Sequence, residues 1–172
     1  MKMENWTKLY SFEEIQKKIA IYTQKLNEQK KGEELVLVVV LKGAVCFAVD
    51  LMRNLQDPVS MQFIKVSSYE GLSQKDLKVE SLGNLNIENK HVLIVEDICD
   101  TGKTLSFIYA SLKRQKPKTL RTICLLNNLK NRQTDFTPDD VLFELNGEFV
   151  VGYGLDLYEH YRGLKDLFVI KK

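Results

Sequence analysis

The chain has 172 residues, 44% of them apolar and 28% charged, which suits one globular domain with a sizeable core and excludes a disordered or fibrous chain. A net charge of +2 gives no bulk attraction to nucleic acid or to a membrane surface, and no apolar run reaches the ~18 residues of a membrane span. The polar N-terminus lacks the apolar stretch of a signal peptide, and Cys46, Cys99 and Cys124 lack CxxC spacing, so reduced thiols in a cytoplasmic protein are expected.

Ser11-Phe12-Glu13-Glu14 reads as a capping box opening a helix, with Ile15, Ile19, Tyr22 and Leu26 on one face and Lys30-Lys31-Gly32 as its stop. Residues 35–41 form a continuous Val-rich run, the pattern of a parallel strand buried on both faces. Residues 44–55 carry helical spacing and 59–68 read as a strand. Residues 67–81 are polar with no periodicity, which predicts a long loop of the kind that acts as a lid. A buried strand over 91–95, a helix over 104–115, a break at Pro117 and a strand over 120–126 follow. A polar connector over 127–140 leads to short strands at 141–145, 149–153 and 167–170. Alternating strands and helices predict an α/β fold: a doubly wound, mostly parallel sheet with flanking helices, and ligands beyond the carboxyl ends of its strands.

The most informative run is residues 92–104, VLIVEDICDTGKT. An apolar strand ends in Glu96 and Asp97, a short loop carries Asp100, Thr101 and Gly102, and a helix starts near Lys103-Thr104. Backbone N–H groups and the positive helix end suit a phosphate there. Carboxylates repel phosphate, so beside it they suit a cation, sugar hydroxyls or a base. The pattern therefore points to a phosphorylated sugar with a divalent metal. A bland alternative is that acidic residues merely favour turns and helix starts, with Asp100 capping the helix. An ordinary P-loop is excluded, because Asp97 stands where that motif needs its first Gly.

This run resembles the phosphoribosyl-pyrophosphate motif of type I phosphoribosyltransferases. Val40-Leu41-Lys42-Gly43-Ala44 upstream, and Phe149-Val150-Val151-Gly152-Tyr153-Gly154-Leu155-Asp156 with Tyr161-Arg162 downstream, resemble the hypoxanthine-guanine branch of purine salvage. The likeness runs from about residue 35 to 170. It implies one phosphoribosyltransferase domain over 1–172, with a purine-binding hood made from 127–172 and the N-terminal segment. It also implies transfer of phosphoribose from phosphoribosyl pyrophosphate to a purine nitrogen, Mg2+ as cofactor, no nucleic-acid or membrane partner, and a homo-oligomer, dimer or tetramer.

The residue roles are carried over from the same resemblance. The donor's phosphates and ribose fall to Lys42, Gly43, Ser68, Tyr69, Glu96, Asp97, Asp100, Thr101, Gly102, Lys103, Thr104 and Arg162. Within this set Glu96 and Asp97 take the ribose hydroxyls, and Lys42 and Arg162 take the pyrophosphate. Metal falls to Glu96, Asp97 and Asp156. Asp100 handles the proton at purine N7. Phe149 stacks on the base unless it is a plain core aromatic, and Val150 reads the purine edge, with Asp156 nearby. The family often makes the bond before the Lys42 position a cis peptide. The pattern breaks at Asn128, which stands where most members carry a lysine that donates to the purine 6-oxo group. An Asn amide donates without charge and can also accept, which weakens exclusion of 6-amino bases unless Lys130 reaches in. Leu157 likewise replaces a usual aromatic. Two other readings stay open: the same chemistry on xanthine, adenine or a pyrimidine, and a regulator that senses phosphoribosyl pyrophosphate.

Overall fold

The computed structural model describes residues 6–29, 32–68, 77–81 and 84–170. In chain order the elements are β1 (Trp6–Tyr10), α1 (Phe12–Gln29), β2 (Leu35–Val40), α2 (Val45–Asn54), β3 (Val59–Ser68), β4 (Leu77–Ser81), β5 (His91–Cys99), α3 (Lys103–Lys113), β6 (Thr119–Asn128), β7 (Asp140–Leu145), β8 (Val150–Val151) and β9 (Leu167–Ile170). The predicted capping box forms in both directions. Ser11 Oγ accepts from the Glu14 N–H at 3.3 Å, and Glu14 Oε2 accepts from the Ser11 N–H at 2.8 Å. The next amide, Phe12 N–H, donates to Asp166 Oδ1 at 2.8 Å, which ties the helix start to the far end of the chain.

The large sheet has the order β4-β3-β2-β5-β6-β7, parallel except for β4, which lies antiparallel on β3 at one edge. Strand β2 is buried throughout because both faces are covered. Leu35, Leu37 and Val39 pack with Ile15 and Ile19 of α1 and Phe47 and Leu51 of α2, while Val36, Val38 and Val40 pack with Leu105, Ile108 and Leu112 of α3. Each such side chain contributes roughly 1.5–3 kcal/mol on burial, against about 1 kcal/mol for one hydrogen bond, so the core fixes where the strand ends lie. The chain leaves β2 towards β3 on one side and runs from β5 towards β6 and β7 on the other. The β2/β5 boundary is thus the switch point where doubly wound sheets bind ligands.

A second sheet, β1-β9-β8, is antiparallel, with Trp6 opposite Ile170 and Val150 opposite Val169. Strand β1 has no counterpart among the expected elements, and three of those elements are corrected. Residues 67–81 are not one loop, because Ser67 and Ser68 end β3 and pair with Lys78 and Leu77 of β4, while residues 69–76 lie outside the described residues. Strand β5 does not stop at Val95, because its pairing with β6 continues to Cys99 opposite Asn127. For the same reason Asn127 and Asn128 are buried strand residues, not part of a polar connector. The predicted helix stop at Lys30-Lys31 lies outside the described residues.

Candidate active site

The ends of β2 and β5 meet through glycines. The Leu41–Lys42 peptide is cis. A Cβ on Gly43 would lie 1.6 Å from Asp97 Oδ2, and a Cβ on Gly154 would lie 2.1 Å from the Gly43 carbonyl oxygen, so hydrogen alone fits at either contact without a shift of its neighbour. Gly154 also holds φ +105°, a region L side chains rarely enter. Asp97 Oδ1 accepts from the Ile98 N–H at 2.9 Å. Glu96 is buried, and burial first, then the Asp97 charge, hold its carboxyl well above the usual carboxylate range.

The loop after β5 surrounds a small recess of about 80 Å3, lined by Glu96, Ile98, Cys99, Asp100, Thr101, Gly102, Thr104 and Leu105. Gly102 precedes α3 with φ +81°, and its N-cap position carries no side-chain cap. The nearest side-chain acceptor to a first-turn amide is Thr101 Oγ1, 3.4 Å from the Lys103 nitrogen. The amides and the positive helix end are therefore available to an anion. Asp100 is not the helix cap of the bland reading. Its Oδ1 accepts from Asn131 Nδ2 at 2.9 Å.

Beside the recess opens a cleft of about 510 Å3, which Asp97, Asp100, Asn128, Asn131, Phe149, Val150 and Asp156 all line. Phe149 is 48% exposed, so it belongs to the cleft wall and is no core aromatic. Asn128 is buried, and its Oδ1 accepts from the Gly147 N–H at 2.9 Å. That bond fixes the amide: the carbonyl end is taken, and the NH2 end is the one with hydrogens to offer. Lys130 does not line the cleft. The Lys130 side chain is exposed and lies across Gly147, where a Cβ would meet its Cδ at 2.7 Å, outside the cleft lining.

Lys42 and Arg162 are brought together by a residue sequence reasoning missed. Glu159 Oε2 lies 2.9 Å from Lys42 Nζ and 3.3 Å from Arg162 Nη2, and those cations hold its carboxyl below the ordinary range, Lys42 foremost. Glu159 sits with Tyr158 in a tight turn, both at positive φ, closed by paired backbone bonds between Leu157 and His160 at 3.1 Å. Arg162 also bonds Asp156 Oδ1 at 2.8 Å and the Gly154 carbonyl at 2.9 Å. Lys103 opens α3 but lines neither recess nor cleft, Ser68 ends β3, and Tyr69 lies outside the described residues. Cys99 has unexpected company. A hydrogen bond from Cys124, then the Arg132 guanidinium at 2.7 Å, pull its thiol below the ordinary value, while Cys124 is pushed up.

Among the described residues no group of three His, Cys, Asp or Glu side chains could hold a metal alone. Asp97 and Asp156 nonetheless face one cleft with carboxylate oxygens, the donor type a small hard cation takes when substrate oxygens and water complete its shell.

Comparison with known proteins accounts for this arrangement. Residues 5–157 match the model of the phosphoribosyl transferase domain family. The chain belongs to the phosphoribosyltransferase family. Among similar phosphoribosyltransferases, the hypoxanthine-guanine phosphoribosyltransferase of Streptococcus mutans is 36% identical, over 95% of this chain and 92% of that protein. A solved hypoxanthine-guanine phosphoribosyltransferase of Bacillus anthracis is 37% identical with a TM-score of 0.86, over 96% of this chain and 97% of its own. A solved hypoxanthine phosphoribosyl transferase of Trypanosoma cruzi reaches a TM-score of 0.88 at 37% identity, over 99% of this chain and 94% of its own. The bifunctional protein TilS/HprT of Listeria monocytogenes is also 36% identical, but this phosphoribosyltransferase chain spans only 26% of its length.

Proposed function

We propose that the protein is a purine-salvage enzyme that transfers the 5-phosphoribosyl group of phosphoribosyl pyrophosphate to N9 of a 6-oxopurine, hypoxanthine or guanine. The products are IMP or GMP and pyrophosphate. The observation that carries the reading is one cleft lined both by Asp97 and Asp100 at the end of β5 and by Asn128, Phe149 and Val150, with the anion recess at its side.

In this reading the base lies against Phe149, with Asn128 Nδ2 donating to the 6-oxo oxygen and the Val150 backbone at the purine edge. The recess at Thr101, Gly102 and Thr104 takes the 5′-phosphate, with Lys103 beside it. Glu96 and Asp97 face the ribose hydroxyls. Lys42 and Arg162 receive the pyrophosphate, for which Glu159 must give way. The N9–C1′ bond forms as the C1′–oxygen bond to pyrophosphate breaks, and Asp100 accepts or steadies the purine proton at N7. Positive charge grows on the ribose and negative charge on the leaving group, so the site acts by position and fixed charge. Mg2+, with Asp97 and Asp156 as its protein oxygens and Glu96 near, would neutralise pyrophosphate charge. The small β1-β9-β8 sheet with the segment from Asn127 onward forms the hood over the base. The reading includes a cytoplasmic homo-oligomer, which sedimentation velocity tests. Among the described residues no helix is long and apolar enough to cross a membrane.

The test is pyrophosphate release on mixing donor, Mg2+ and each of hypoxanthine, guanine, xanthine and adenine. Release with the first two, abolished by EDTA and restored by Mg2+, is expected. Equal or better use of adenine overturns the base assignment. Donor binding without turnover on any base leaves the regulator reading standing instead.

A further inference from the structure

The four residues Asn131–Thr134, in the connector that follows β6, touch each of the four residues Cys99–Gly102. Asn131 Nδ2 donates to Asp100 Oδ1 at 2.9 Å, Arg132 Nη1 to Cys99 Sγ at 2.7 Å, and the Gln133 N–H to the Thr101 carbonyl at 2.9 Å. A Cβ on Gly102 would fall 2.4 Å from Thr134 Oγ1 and 2.7 Å from Arg132 Nη1. Arg132 does not line the recess, and it lies where a Cβ on Gly102 would point.

Arg132 is unusual in what surrounds its charge. Nη1 also donates to the Phe136 carbonyl at 3.2 Å and Nη2 to Asn127 Oδ1, so its acceptors are a thiol, a carbonyl and an amide. Among the described residues no carboxylate lies within ion-pair distance of it. None of these acceptors is a carboxylate, so the part-buried cation is solvated without a full ion pair. Its field therefore reaches the recess through a glycine that offers no side chain in between.

We propose that Arg132 is a positioning residue for the donor's 5′-phosphate: it fixes the shape of Cys99–Gly102 and adds positive charge beside the anion, without touching it. This rests on the reading of the recess as the phosphate site. A guanidinium suits the role because its rigid fork reaches three acceptors at once.

The test compares wild type, Arg132→Met and Arg132→Lys as full chains, by titration calorimetry at several salt concentrations. The probes are GMP, guanosine, and inorganic pyrophosphate with Mg2+. Arg132→Met should bind GMP about ten-fold more weakly, with guanosine and pyrophosphate changed less than about two-fold and a shallower salt dependence for GMP. Arg132→Lys should keep the GMP salt slope, since the charge remains, and should lose less than Arg132→Met, about three- to five-fold, because one ammonium cannot hold all three acceptors of the fork. Equal losses for all three probes, no loss for GMP, or a lysine variant as weak as the methionine one each overturn the proposal. If Arg132→Met does not fold, a GMP loss of ten-fold in folded Arg132→Lys overturns it alone. If wild type binds GMP no tighter than guanosine, the recess reading itself fails, whatever Arg132 does.

Discussion

Replacing Gly43 by Ala should disable the site while leaving the fold nearly intact. The added Cβ would stand 1.6 Å from Asp97 Oδ2 and 2.5 Å from its Cγ, where ordinary contact begins at 3.4 Å. The carboxylate must retreat by about 1.8 Å. It can do so by turning to another rotamer, which costs about 0.5–1.5 kcal/mol, and by giving up its bond to the Ile98 N–H, worth about 1 kcal/mol. Loss of glycine freedom in the unfolded chain offsets about 0.4–1 kcal/mol, because Gly43 is not at positive φ. The net is about 1 kcal/mol, or a Tm lower by about 2–4 °C for a chain of this size. Activity is far more sensitive, since a displacement of about 1 Å at a reacting centre costs about 10²-fold. Steady-state pyrophosphate release and a thermal melt on the same preparation separate the two. Wild-type kcat/KM in folded Gly43→Ala would refute a role for the Asp97 position, and global unfolding would refute the claim that the clash is absorbed locally.

Asn128→Asp keeps an acceptor for the Gly147 N–H but loses the amide donors, so kcat/KM for hypoxanthine should fall about 10²-fold, and because the site is buried the new carboxylate should also lower the melt. An unaffected rate would show that the amide does not meet the base. Asp100→Asn preserves shape and an acceptor for Asn131 but loses the charge, and single-turnover rates should drop at least roughly 10²-fold while donor affinity holds within a few-fold. Parallel losses in both would mean that Asp100 serves binding only. Lys8, then the Phe12 N–H, lower the carboxyl of Asp166 below its ordinary 3.8. The unfolded chain thus takes up the proton first, so this stabilisation is complete above about pH 4 and fades as the pH falls through the lowered folded value. Denaturant midpoints of Asp166→Asn should therefore approach those of wild type at acid pH and lie below them at pH 7. A constant gap across that range would discount the linkage.

Burial and local hydrogen bonding explain what could be read beforehand. The continuous run at Leu35–Val40 can only be a strand covered on both faces, and Ser11 with Glu14 marks a helix start through contacts three residues apart. Gly43 and Asp97 could be named because their local patterns resemble a known site. Strand β1 could not, since Trp-Thr-Lys-Leu-Tyr gains its order from a partner near residue 170. The end of β5 was misplaced because the carboxylates of Glu96 and Asp97 look like a terminus, while pairing with β6 carries the backbone on to Cys99. The contacts of Asn131 with Asp100, of Arg132 with Cys99 and of Glu159 with Lys42 span 31, 33 and 117 residues, and no local period announces such distances.

The antiparallel pairing of Trp6 with Ile170 brings the first and last described strands side by side, and Val169 and Ile170 border the cleft. A substitution that loosens β1 from β9 should thus reshape the wall of that cleft before it disturbs the large sheet.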